Sequence, residues 1–168
     1  ALLALPALEY AQERGSSPGE WRYQSGDAWG TRFSPLDQIN AGNFSKLEVA
    51  WIWRGDNFGP TPSNTSRSTP TYVDGMLYTV GGYRRTVVAM DPKTGENIWT
   101  YREPNTTRYE RSMRASYGKG VAHARVNGRE VIFTTSPAFF LHAIDAKTGE
   151  HLPNWGAPVP LPGFPTTG

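Results

Sequence analysis

The chain has no cysteine among its 168 residues. That excludes disulfides, thiolate metal sites and cysteine nucleophiles. Charge of one sign is also scarce. Seventeen Lys and Arg stand against 15 Asp and Glu, a net charge of +2 with the signs intermixed, too weak a balance for a nucleic-acid surface. The apolar run at the N-terminus, from Ala1 to Leu8, is too short to span a bilayer. No window sustains a 3.6-residue apolar period. Only Pro35 to Lys46, with Leu36, Ile39 and Phe44, suits a short helical turn.

Aromatics are plentiful, at 12% with six Trp, and so are Gly (18) and Pro (14). Val, Tyr, Trp and Thr set among turn residues point to short strands joined by tight turns. Ala1 to Leu8 is read as the surviving end of a secretory apolar region, with cleavage near Ala11 or Gln12. Residues 1–20 form that remnant and a flexible lead, and residues 21–168 the folded part. The first residue is not Met, and the last residues, Pro165 to Gly168, follow a Pro-rich run; the chain is expected to be part of a longer one. The basic stretch from Arg102 to Lys119 reads either as a solvated loop, the simpler expectation, or as an anion-binding rim.

An internal repeat organises the middle of the chain. Thr71 to Val80 leads into Val87 to Trp99, and Ala124 to Thr134 leads into Leu141 to Glu150. Asp91 and Asp145 are 54 residues apart, as are Gly95 and Gly149; Asp74-Gly75 and Asn127-Gly128 are 53 apart. Asp-Gly and Asn-Gly supply the pair of positive φ angles that a type I′ hairpin needs. In Asp-x-x-Thr-Gly the Asp carboxylate can accept backbone N–H bonds while Gly takes the left-handed position. Leu77, Val80, Val87, Ala89, Ile132, Leu141, Ala143 and Ile144 supply apolar strand positions. Each unit thus reads as a four-stranded sheet of about 50 residues, which must stack on copies of itself; radial stacking gives a β-propeller of typically 4–8 blades. About two units are present, too few to close a ring.

Two stretches resemble the pyrroloquinoline quinone (PQQ)-dependent alcohol and glucose dehydrogenases. Ala89 to Trp99 is similar to that family's tryptophan-docking motif, and Ala143 to Trp155 is a looser copy with its Trp displaced two residues by Leu152-Pro153. Trp21 to Asn40, followed by Leu47 to Trp53, resembles the family's N-terminal signature. The resemblance implies an all-β fold, part of an eight-bladed propeller, and a periplasmic enzyme. It implies PQQ held with Ca²⁺ or another divalent or lanthanide cation. Alcohols or sugars would be the substrates, and ubiquinone or cytochrome c the electron acceptor.

Carried over position by position, the resemblance places Lys119 where the family has a PQQ-contacting Arg, keeping a cation without its bidentate fork. It puts Thr135 at a cofactor hydrogen-bonding Thr, and Arg67 where a PQQ-contacting Glu is usual, a reversal of charge. Met113-Arg114 stands in place of an adjacent Cys pair, which points to a glucose-type or diverged branch. The metal ligands and catalytic carboxylate are expected outside these residues. Two other readings remain open at this point: a non-catalytic propeller scaffold of the outer-membrane assembly type, and a carbohydrate-binding surface of exposed aromatics. His142, on an expected strand, reads as structural. Asn43, Asn64 and Asn105 open glycosylation sequons without consequence in a bacterial-type periplasmic chain.

Overall fold

The computed structural model describes residues 19–56, 58–59, 66–111, 119–153 and 155. The secretory remnant therefore lies outside the described residues, as does the Met113-Arg114 pair. The strands are β1 (Thr71–Val73), β2 (Met76–Gly81), β3 (Thr86–Met90), β4 (Asn97–Tyr101), β5 (Ala122–Val126), β6 (Arg129–Thr135) and β7 (Leu141–Asp145). They form two antiparallel meanders, ordered β1-β2-β3-β4 and β5-β6-β7. The expected helical turn narrows to one 3-10 turn at Phe44–Lys46.

The turn chemistry is as the sequence implies. Asp74 and Gly75 have φ of 50° and 76°, and Asn127 and Gly128 repeat both values. Those two left-handed residues set the registers Val73↔Met76 and Val126↔Arg129. In the second turn type, Asp91 Oδ1 accepts from the Lys93 and Thr94 amides at 2.6 and 3.3 Å. Asp145 Oδ1 does the same for Lys147 and Thr148 at 2.9 and 3.1 Å.

Val73, Tyr78, Val80, Val87 and Ala89 of the first sheet share one core with Ile132, Ile144 and Ala146 of the second. β3 is buried along its whole length, as befits a strand covered on both faces. The Tyr78 hydroxyl crosses the seam to donate to the Ala146 carbonyl at 3.1 Å. Burial, together with the negative field of Asp74, Glu130 and Asp145, pushes its ionisation far up.

Two expectations are corrected. Among the described residues the second unit has three strands rather than the expected four; after its turn an Ile144↔His151 bridge and a Leu152 amide bond to Ala143 follow. Pro153 next in line has no N–H with which to extend the ladder. Leu141 is a strand position as expected, but its side chain is exposed, because it lies at the sheet's end opposite Thr135. The Arg102 to Lys119 stretch is not simply a solvated loop: it contains a helix, α1 (Thr107–Glu110), and buries Glu103 and Arg108. Thr106 caps α1 by accepting from the Tyr109 amide at 3.1 Å.

Candidate functional site

Tryptophans set how the units stack. A Cβ placed on Gly149 falls 2.7 Å from Trp99 Cδ2, and one on Gly95 falls 2.7 Å from Trp51 Cδ2. Trp99 Nε1 donates to the Ala146 carbonyl at 3.0 Å, and Trp51 Nε1 to the Pro92 carbonyl at 3.0 Å. Both carbonyls follow the turn Asp. The lead-in segment thus docks on the first sheet as the first sheet docks on the second. Trp53 adds a second contact, lying over Gly81, where a Cβ falls 2.5 Å from the indole, and stacking on Phe58.

The sequence-derived cofactor positions are brought to one end of the sheets. Gly120 approaches the Thr69 carbonyl and the Ser68 side chain, at 3.5 and 3.6 Å from its virtual Cβ. Lys119 therefore lies on a segment that runs beside the one carrying Arg67. Ser68 Oγ donates to the Val80 carbonyl at 3.4 Å, fixing that segment to the end of β2. The β5–β6 register ends at Ala122↔Phe133, so the chain just before β5 and the chain just after Phe133 emerge together. Thr135 is the last residue of β6. Arg67, Lys119 and Thr135 are all exposed there.

This end is cationic. Besides Arg67 and Lys119 it carries Arg84 and Arg85, in the turn between β2 and β3. Arg85 takes a positive φ of 51° and donates through Nη1 to the Thr135 and Ser136 carbonyls, both at 3.3 Å. Arg84 lies 4.1 Å above the Tyr109 ring and donates to the Glu103 carbonyl at 2.9 Å. Two exposed cations on adjacent segments beside a hydroxyl suit a small polycarboxylate. PQQ carries three carboxylates, so this donor set fits it. Among the described residues no group of three or more His, Cys, Asp or Glu could hold a metal ion.

Sequence reasoning missed a buried polar cluster next to this end. Glu103, 6% exposed, accepts from Ser136 Oγ at 2.7 Å and from the Ala138 amide at 3.4 Å. Arg108, also 6% exposed, donates to the Ala138 carbonyl at 2.8 Å and covers the Phe140 ring. His142 lies between Tyr101 and Glu103, with Nδ1 3.1 Å from the Tyr101 hydroxyl and Nε2 3.5 Å from Glu103 Oε1. Burial, and then the Glu103 charge, push the Tyr101 hydroxyl up to about 12. His151 stacks on Tyr101; burial and His142 lower its pKa. His142 is thus a partnered strand residue, as expected. The one available signal for this cluster was Glu103, one of two Glu in a basic stretch.

A separate pair lies between β5 and β6. His123 Nε2 is 2.6 Å from Glu130 Oε2, and Glu130 also pairs with Arg125. Burial lowers the His123 pKa although Glu130 opposes it.

Residues 21–159 match the PQQ family described as "Glucose/ethanol/alcohol dehydrogenase, beta-propeller domain". Among curated relatives, the chain is 34% identical to a 1-butanol dehydrogenase (cytochrome c) of Thauera butanivorans, over 90% of this chain and 21% of that protein. It is 31% identical to a quinoprotein ethanol dehydrogenase of Pseudomonas aeruginosa, over 80% of this chain and 21% of that protein. Among solved structures, a europium-containing methanol dehydrogenase superposes with a TM-score of 0.65 at 27% identity, covering 83% of this chain and 23% of that one. The quinohemoprotein alcohol dehydrogenase of Comamonas testosteroni does so with 0.62 at 28%, covering 84% and 20%. The chain spans about a fifth of the length of the curated relatives it matches.

Proposed function

We propose, from the premise that this chain belongs to the β-propeller family of PQQ-dependent glucose, ethanol and alcohol dehydrogenases, that it is part of a periplasmic quinoprotein that oxidises alcohols. The match along residues 21–159 carries the reading. The named relatives act on 1-butanol, glycerol and ethanol, and this favours a primary alcohol over a sugar. The Thauera butanivorans relative is a 1-butanol dehydrogenase (cytochrome c), which favours that acceptor over ubiquinone. Among the described residues no helix is long and apolar enough to cross a membrane.

In this reading Arg67 and Lys119 bind PQQ carboxylates from two neighbouring segments, and the Thr135 hydroxyl donates to the cofactor. When bound, the quinone supplies the two-electron acceptor for the alcohol's hydrogen, with Ca²⁺ or a lanthanide polarising its carbonyl. Lys119 acts as a point charge, so it tolerates small shifts in carboxylate position that a bidentate Arg would not.

The test is reconstitution of the full-length protein with PQQ and either Ca²⁺ or a lanthanide, followed by dye-linked dehydrogenase assays on primary alcohols and sugars. Turnover of alcohols above sugars is expected. No activity on any alcohol or sugar sinks the enzymatic reading. Lys119→Ala is expected to weaken PQQ binding about tenfold, the loss that one charged hydrogen bond typically carries.

A further inference from the structure

The loop that joins β6 to β7 begins directly after Thr135, and the preceding unit holds it with directed polar bonds. Ser136, Pro137 and Ala138 are buried. Glu103 takes the Ser136 hydroxyl and the Ala138 amide, one on each carboxylate oxygen. Ser136 Oγ in turn accepts the Phe140 amide at 3.1 Å. Arg108 holds the Ala138 carbonyl, and Arg85 those of Thr135 and Ser136. Within the loop the Ser136 amide donates to the Phe140 carbonyl at 2.8 Å, and Phe139 takes a positive φ of 64°.

Sheet stacking does not need this clamp. The Trp99–Gly149 dock and the apolar seam join the two units at the other end of β7. Apolar burial is non-directional and fixes a neighbour only to within its packing tolerance, whereas a hydrogen bond fixes atoms to a narrow range of distance and angle. Burying a carboxylate is costly unless its oxygens are satisfied. Here the satisfying donors come from one loop of the next unit, the loop that follows a candidate cofactor residue.

We propose that Glu103 is a positioning residue for the cofactor-binding end: through Ser136 and Ala138 it sets the place of Thr135 relative to the segments carrying Arg67 and Lys119. This rests on the PQQ-binding reading above. Glu103 acts through the loop and touches no substrate in this arrangement.

The test uses the full-length protein in four forms: wild type, Glu103→Ala, Glu103→Gln and Gly149→Ala. Gly149→Ala damages the opposite end of β7 and serves as a matched loss of stability. Two quantities are measured below the melting temperature of every form. One is PQQ affinity, from titration of the cofactor-free protein followed by tryptophan fluorescence. The other is hydrogen-exchange protection of the Ala138, Phe139 and Phe140 amides.

Glu103→Ala is expected to weaken PQQ binding about tenfold, on the scale of one lost hydrogen bond to a charged group, and to deprotect those three amides. Glu103→Gln keeps an acceptor for Ser136 but turns an NH₂ towards the Ala138 amide, so it is expected to fall between Glu103→Ala and wild type; it also stands in should the Ala variant not fold. Gly149→Ala is expected to lower the melting temperature while keeping PQQ affinity and the three amides as in wild type. Unchanged PQQ affinity in both Glu103 variants, or an equal loss in Gly149→Ala, overturns the inference. Failure of the wild type to bind PQQ overturns the functional reading instead, and with it the cofactor part of this one; the exchange data then decide whether the clamp exists at all.

Discussion

Gly149 carries two constraints at once. Its φ of 76° is a conformation L side chains rarely adopt, and its α-carbon lies under the Trp99 indole. Gly128 shares the φ of 76° but has nothing within 4 Å of a virtual Cβ. Gly128→Ala is therefore expected to cost about 1 kcal/mol, from backbone strain alone. Gly149→Ala should cost about 2–3 kcal/mol, since the indole must also shift. Denaturant unfolding of both variants separates the two contributions. Equal losses would show that the indole contact adds nothing. His123 gives a second test at this scale. Its pKa is lowered on folding, so the unfolded chain binds the proton more readily. The contribution of His123 to stability is complete above its ordinary value of 6.5 and is lost as pH falls from there through the lowered folded value. Stability measured from pH 8 to pH 5 should decline across that window, and His123→Gln should flatten the decline.

At the scale of elements, local chemistry was legible and remote pairing was not. The two hairpins, the two Asp-x-x-Thr-Gly turns and the register they impose depend on residues within six positions of each other, and all were readable from spacing. The convergence of the Arg67, Lys119 and Thr135 segments came from the family resemblance rather than from any local pattern. The Glu103 clamp was invisible, because its partners lie 33 and 35 positions away and a charged stretch between two strands looks solvated. Helix α1 was missed for a related reason: four residues are too few to show a period, although Thr106 is an ordinary capping residue. Thr106→Ala is expected to destabilise α1 by about 1 kcal/mol. Because Arg108 sits on that helix, exchange at the Ala138 to Phe140 amides should also rise. A change confined to α1 would mean that Arg108 holds the loop without help from the helix.

On the scale of the whole molecule, the lead-in segment exposes a run of large apolar side chains. Trp29 is 74% exposed, Phe33 70%, Val49 77% and Ile52 79%. Exposed apolar surface of this extent promotes association in water. The 168-residue chain expressed by itself is expected to bind a hydrophobic dye and to self-associate at micromolar concentration. The pair Val49→Glu and Ile52→Lys should reduce both, as read by dye fluorescence and sedimentation velocity; no change would locate the sticky surface elsewhere. The seams between units behave differently. What Trp51 and Trp99 grip is main chain: a bare α-carbon and one carbonyl oxygen, offered by Gly95 with Pro92 and by Gly149 with Ala146. Mating of this sort asks almost nothing of the partner's side chains beyond one missing methyl. The tryptophan joint can therefore recur unchanged from unit to unit, while the apolar seam and the Glu103 clamp fit each unit to its own neighbour.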